Sequence, residues 1–341
     1  NACLPDNGRP DNSPKTQFTL EDLCMNLSPR RVGIIGVGHV GAHCAFSLAA
    51  QGIVDELVLV DTNRQKAISE CQDLRDSVAY LPHRVRISIG QPEDLTDCDL
   101  AVISVGTITQ DENRLSELFT SAEIVREVVP RAVRAGFDGI FINITNPCDI
   151  IAREVWKLSG FPKNKVLGTG TSLDTARFRA VLARETGVDH KSVTAFMMGE
   201  HGASQFCLWS NVTVNGKPLA ELEREFPGQF GHLDRAAIQQ EVIAAGWLTY
   251  TGKHATEYGI ASALARIVHI ILRDERQMMP VSTLLEGQYG RSGFFIGTPA
   301  ILGANGVEQV LEMRLSPEES AAFQHSCDIV EENIQKLEKI L

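Results

Sequence analysis

The chain lacks three things that would open whole classes of function. No apolar run approaches the roughly 20 residues that a membrane-spanning helix needs. Its 8 cysteines include no CxxC pair and no short metal-ligand spacing, which argues against a metal site and a disulfide framework alike. Basic charge is not in surplus either: the formal net charge is −11 at pH 7. Nucleic acids and anionic membranes call for a basic face, so neither is an expected partner. The opening stretch, "NACLPDNGRPDNSPKTQFTLEDLCMN", has no basic n-region and no apolar h-region, so it does not read as a secretory signal. Free thiols such as Cys44, Cys71 and Cys207 fit a reducing compartment, and the cytoplasm is the expected location.

What remains is an acidic chain of 341 residues, 43% hydrophobic and 22% charged, of a size for one large or two ordinary globular domains. An acidic protein that handles an acidic small molecule must focus a few cations in a cleft, so single arginines matter. Residues 1–30, rich in Asn, Asp, Pro and Ser, read as a mobile tail. From there "RRVGIIGV", "ELVLVD", "RVRISIG", "LAVISVG" and "GIFINITN" are short apolar runs of strand type, with helical stretches over 39–52, 63–79 and 115–136. That alternation predicts an α/β fold with a Rossmann-type parallel sheet domain over 31–150. The pattern changes near residue 150. A hairpin turn at Asn215-Gly216, a long helical stretch from about 234 to 272, antiparallel strands in "FFIGTPAILGANGV" and an amphipathic helix over 316–341 predict a mixed α+β substrate domain over 151–341.

The sharpest local signal is "GVGHVG", which sets Gly36, Gly38 and Gly41 at G-x-G-x-x-G spacing between a predicted strand and a predicted helix. In that setting Gly36 makes the tight turn, Gly38 lets a pyrophosphate approach the backbone, and Gly41 lets helix and strand pack closely. The helix start supplies unpaired N–H groups and partial positive charge. Asp61 follows Gly41 by 20 residues, at the end of "ELVLVD". A carboxylate there accepts hydrogen bonds from ribose hydroxyls and repels a 2′-phosphate, so the expected cofactor is NAD rather than NADP.

With NAD, hydride transfer is the expected chemistry, and the protein must supply a proton donor, a partner for substrate charge, and orientation. Four places offer such groups, three of them with a plainer alternative. Asp174 and Arg177 in "SLDTARFR" share one face of a helix start, or serve as a dipole-complementing acid and a surface base. Asn146 in "TNPCD" can orient a substrate oxygen, or only make an Asn-Pro turn. The polar stretch "TITQDENRLSELF" has the make-up of a lid, with Arg114 at its inner edge. His201 in "MGEHGASQF" can act as acid and base, or simply close a strand.

Taken in order, "GVGHVG", "NPCD", "WKLSGFPKNKVLGTGTSLDTARFR", "GEHG" and "SALARI" resemble the L-lactate and L-malate dehydrogenases from residue 31 to the C-terminus. The L-2-hydroxyisocaproate dehydrogenases are the most similar branch. The resemblance implies that His201 is the acid/base, that Asp174 holds and charges its imidazole, and that Arg177 grips the substrate carboxylate. It implies a carbonyl-polarising lid arginine in Arg114, contact of Asn146 with substrate and the nicotinamide region, and a pocket-lining threonine in Thr256 of "HATEYG". A homo-oligomer, most often a tetramer, is implied as well.

The lid departs from the family pattern. From Gly106 to Arg114 it is one residue shorter than usual, so the side-chain selector falls on Ile108 counted back or on Thr109 counted forward. Neither is the arginine that a malate enzyme sets against a second carboxylate, nor the glutamine typical of lactate enzymes. An uncharged lid should reject oxaloacetate and tolerate an alkyl side chain. The expectation is an NAD-dependent L-2-hydroxyacid dehydrogenase acting on pyruvate or a bulkier aliphatic 2-oxo acid, with plain L-lactate dehydrogenase as the rival within the class. The rival outside it is a catalytically idle NAD-binding sensor or interaction module, which would have no physical need for Arg114, Asp174, Arg177 and His201 together.

Overall fold

The computed structural model describes residues 29–106 and 114–340. Ile108, Thr109 and all but the last two residues of the expected tail lie outside the described residues. Six strands run parallel: β1 (Arg31–Ile35), β2 (Glu56–Val60), β3 (Arg86–Gly90), β4 (Leu100–Ile103), β5 (Ile140–Asn143) and β6 (Val166–Gly168). Their order across the sheet is β3-β2-β1-β4-β5-β6. Every residue of β4 and β5 is buried, which is why these strands read as unbroken apolar runs and not as alternating ones. Helices α1 (His39–Ala50), α2 (Arg64–Val78), α3 (Arg114–Ala135) and α4 (Cys148–Ser159) make the crossovers. The winding reverses between β1 and β4, where sheets of this kind bind their ligands.

The parallel order continues past the change of pattern near residue 150, through α4 to the end of β6 at Gly168. There the sheet changes sense without ending. β12 (Gln277–Glu286) joins β6 antiparallel at Ser282 opposite Gly168, and β13 (Ser292–Gly303) and β14 (Gly306–Val310) complete a nine-stranded sheet. The remaining strands are short: β7 (Val193–Thr194) pairs with the hairpin of β10 (Thr213–Val214) and β11 (Lys217–Pro218), turned at Asn215-Gly216, and β8 (Met197–Met198) pairs with β9 (Phe206–Cys207).

Around these lie α5 (Ser172–Thr186), α6 (Leu219–Glu225), α7 (Pro227–Phe230), α8 (Arg235–Lys253), α9 (Tyr258–Leu272) and α10 (Pro317–Ile340). The helical stretch expected from 234 to 272 is therefore two helices. His254 stops the first: it takes a left-handed conformation (φ 63°) and its N–H caps the Tyr250 carbonyl at 2.8 Å. Thr256 and Glu257 fall in the joint that results.

The hydrophobic core does not respect the change in sheet sense. Phe141 of β5, Phe206 of β9, Phe295 of β13 and Phe323 of α10 belong to one buried cluster. Each such side chain contributes roughly 1.5–3 kcal/mol on burial, so the two halves of the chain are fused apolarly as well as through the sheet. Cys44, Cys71 and Cys207 are buried free thiols within α1, α2 and β9.

Candidate active site

The glycine turn is built by close approach. Gly36 leaves β1 at φ 89°, and a Cβ there would collide with the Ser104 carbonyl beyond β4. A Cβ at Gly41 would collide with the Gly36 carbonyl, so helix α1 rests directly on the turn. Gly38 differs: nothing lies within 4 Å of where its Cβ would be. It is the N-cap of α1, and no side chain caps the helix. Unpaired backbone N–H groups thus face open space, the arrangement that receives a phosphate. Asp61 anchors the turn from β2, accepting from Val37 N at 2.9 Å through Oδ2 and from Asn63 N at 2.8 Å through Oδ1. Each oxygen keeps a further lone pair for a ribose hydroxyl. These residues fit a dinucleotide.

The second cluster is built of side chains from distant parts of the chain. Asp174, in the first turn of α5 and 1% exposed, accepts from the His201 ring at Nδ1 over 2.8 Å. Its other oxygen accepts from Arg177 Nη1 at 2.9 Å. The Arg177 guanidinium lies against α8, where a Cβ on Gly246 would stand 3.4 Å from Nη1. Nδ1 of His201 is thereby fixed, and its Nε2 has no hydrogen-bond partner among the described residues.

The loop that carries His201 is clamped from four sides. Gly199 exchanges two 3.0 Å backbone bonds with Gly297 of β13, and Glu200 N donates to Ser326 of α10 at 2.6 Å. His201 N donates to Asp149 Oδ2 of α4 at 2.8 Å, and the ring is held by α5. Asp149 is 2% exposed, and its Oδ1 accepts from Ser282 of β12 at 2.5 Å. Asp149 was missed in the sequence, although "NPCD" contains it; it places a second carboxylate behind the histidine.

The electrostatics follow from burial and neighbours. Burial alone would push the Asp174 carboxyl up, but the His201 imidazole and Arg177 outweigh it and hold it below its ordinary value. Burial likewise pulls His201 down, while Asp174, and less strongly Asp149, outweigh that and raise it. For Asp149 burial wins, pushing it up to about 6 against the bonds from Ser282 and His201 and the charge of the His201 ring.

His201, Asp174 and Arg177 are therefore brought together. Asn146 is exposed at a cis Asn146–Pro147 bond, three residues before Asp149, in the turn that Asn143 braces through 3.0 Å bonds to the Thr145 and Cys148 carbonyls. Thr145 Oγ1 also accepts from Val105 N at 2.8 Å, which joins this turn to the residues beyond β4 and so to the glycine turn. Arg114 is the first residue of α3, and its side chain lies outside the described residues. Thr256 is half-buried in the α8–α9 joint.

An imidazole whose pKa is raised by buried carboxylates, beside a guanidinium and linked through two strand ends to a dinucleotide turn, suits a dehydrogenase whose substrate bears a carboxylate. Comparison with known proteins agrees. Residues 30–168 match the lactate/malate dehydrogenase NAD-binding domain, and residues 171–341 match the lactate/malate dehydrogenase alpha/beta C-terminal domain. An L-lactate dehydrogenase of Fusobacterium nucleatum is 43% identical over 309 residues, covering 91% of this chain and 97% of that protein. L-lactate dehydrogenase 3 of Bacillus cereus is 40% identical over 92% of this chain and 99% of its own length. The ligand-bound crystal structure of minor L-lactate dehydrogenase from Enterococcus mundtii superposes with a TM-score of 0.87 at 37% identity, covering 90% of this chain and 98% of that one. The chain belongs to the lactate/malate dehydrogenase family. It is an NAD-dependent oxidoreductase acting on 2-hydroxy acids.

Proposed function

We propose that the chain interconverts a monocarboxylic 2-oxo acid and its L-2-hydroxy acid, with pyruvate and longer aliphatic 2-oxo acids as substrates. One carboxylate carries the reading: Asp174 holds the His201 ring with one oxygen and Arg177 with the other. A substrate carboxylate pairs in two-pronged fashion with the Arg177 guanidinium, which fixes the oxo carbon in place. NAD, when bound, supplies or accepts the hydride. His201, kept protonated by Asp174, gives its Nε2 proton to the carbonyl oxygen in reduction and takes it back in oxidation. Arg114 stabilises the charge growing on that oxygen, and Asn146 orients it. Thr256 contacts the substrate side chain, and the selector is Ile108 or Thr109.

Several observations bear on substrate size. The relatives' name, L-lactate dehydrogenase, supports pyruvate. Gly246 supports longer chains, because any side chain there would lean on the guanidinium. Uncharged Ile108 and Thr109 support rejection of oxaloacetate, whose second carboxylate would be left unpaired. Phe46 on α1 and Tyr258 on α9, 46% and 69% exposed, support a homo-oligomer, with the tetramer implied by resemblance.

The test follows NADH consumption by absorbance with pyruvate, 2-oxoisocaproate, phenylpyruvate and oxaloacetate. Turnover is expected with the first two, and kcat/KM for oxaloacetate about a hundredfold lower or less. Activity with none of the four would favour the idle module. A preference for oxaloacetate would overturn the reading of the lid.

A further inference from the structure

The cofactor end of the molecule holds a second carboxylate–imidazole pair, one that hydride and proton transfer do not use. Glu257, in the α8–α9 joint, is 8% exposed. Its Oε1 lies 3.4 Å from Nδ1 of His39 and 3.8 Å from Nδ1 of His43, and its Oε2 lies 2.5 Å from Lys253 Nζ. His43 Nδ1 is committed elsewhere, donating to the His39 carbonyl at 2.7 Å. Lys253 is committed too, since its ammonium sits over the Tyr258 ring at 3.9 Å from the centroid. That leaves His39, at ion-pair distance, as the group that Glu257 faces with no competing partner among the described residues. It follows Gly38, begins α1, and its side chain is 67% exposed.

Without a ligand this placement is electrostatically uneven. The start of a helix favours acids and disfavours bases. The first turn of α1 contains no acid, yet His39 and Lys253 converge near it, and the balancing carboxylate comes from another part of the chain. A diphosphate at the uncapped N–H groups would add the missing negative charge. Because Lys253 neutralises Oε2, Glu257 can face Nδ1 of the imidazole without repelling an anion, and when a diphosphate holds the ring as imidazolium, Nε2 donates to a phosphate oxygen. The hydrogen bond from Lys253 also holds the Glu257 carboxyl below its ordinary value, so the carboxylate is charged while it does this.

We propose that His39 binds the diphosphate of the dinucleotide and that Glu257 is its positioning residue, tying the cofactor helix to the α8–α9 joint. The proposal rests on the glycine-turn reading of the cofactor site. Binding of NADH and adenosine by the unchanged chain tests that reading alone; should it fail, both fall.

Calorimetric titrations of ADP-ribose, NADH and adenosine would compare the unchanged chain with His39→Ala, Glu257→Gln and the double variant, each checked for folding by circular dichroism. His39→Ala is expected to bind ADP-ribose and NADH about three- to tenfold more weakly while adenosine changes by less than about twofold. Glu257→Gln should show a smaller loss with the same selectivity. The double variant should bind no more weakly than His39→Ala, because Glu257 acts through His39. Unchanged ADP-ribose binding by His39→Ala, an equal loss for adenosine, or losses that add would each overturn the proposal. If Glu257→Gln does not fold, the contrast between ADP-ribose and adenosine in His39→Ala still decides.

Discussion

The glycine turn and the His201 cluster are made in opposite ways. The turn is local and uses backbone: Gly36, Gly38, Gly41 and Asp61 shape N–H groups that any sequence could present, provided no Cβ intrudes. The cluster is non-local and uses side chains, collecting Asp149 from α4, Asp174 and Arg177 from α5, His201 from a loop and Ser282 from β12. A backbone site is broken by adding atoms. A side-chain site is broken by removing charge.

Three substitutions sharpen that contrast, in falling order of effect. His201→Asn can keep an N–H donor to Asp174 in place of Nδ1 but loses the Nε2 proton, so turnover with pyruvate should drop by roughly 10²–10⁴-fold while fluorescence titration finds NADH affinity intact. A matched loss of NADH binding would mean the two sites are not separate. Gly41→Ala does the reverse. Its added methyl meets the Gly36 carbonyl, and NADH affinity should fall about tenfold to a hundredfold in a protein that remains folded. Unaltered affinity would show that the turn tolerates a Cβ.

Asp149→Asn is the subtlest of the three: its amide oxygen can still accept from His201 N, its NH2 can donate to Ser282 Oγ in reversed sense, and the charge is lost. Turnover should fall about three- to tenfold. With His201 as the proposed proton donor, whose pKa is raised in the fold, the rate of reduction should be sustained at low pH and decline as pH climbs through that raised value. Removing the Asp149 charge lowers that value, and the decline should begin at lower pH. Stability moves the other way. A carboxyl pushed up to about 6 binds its proton more readily when folded than when unfolded. Its charged form therefore costs stability above pH 6, by roughly 3 kcal/mol, and the cost fades as pH falls toward ordinary carboxylate values. Urea unfolding should find Asp149→Asn at least as stable as the unchanged chain at pH 7, with less dependence on pH between about 4 and 6. A less stable variant with full activity would remove Asp149 from any part in the site.

The sequence showed more of the backbone site than of the side-chain site, for the same physical reason. Strands β1 to β5 are short, apolar and bounded by turns, and G-x-G-x-x-G needs only its neighbours to be interpretable. His201, Asp174 and Arg177 were each ambiguous alone and became specific through the order of the motifs around them. Asp149 gave no such hint, because a carboxylate in the first turn of a helix reads as a dipole complement. Its partners lie 52 and 133 residues away. Strand β12 was also silent: "QMMPVSTLLE" does not alternate, and Pro280 counts against a strand. The break after α8 carried no proline or glycine at the capping position, only His254 in a left-handed conformation.

The seam between β6 and β12 has a mechanical corollary. Ser282 faces Gly168 across it, and the same serine supports Asp149 beneath the histidine loop. A hinge running along that line would have to break this pairing and the support of the His201 loop together. One serine thus ties the change of sheet sense to the footing of the histidine loop, so disturbing either side of the seam is felt by both.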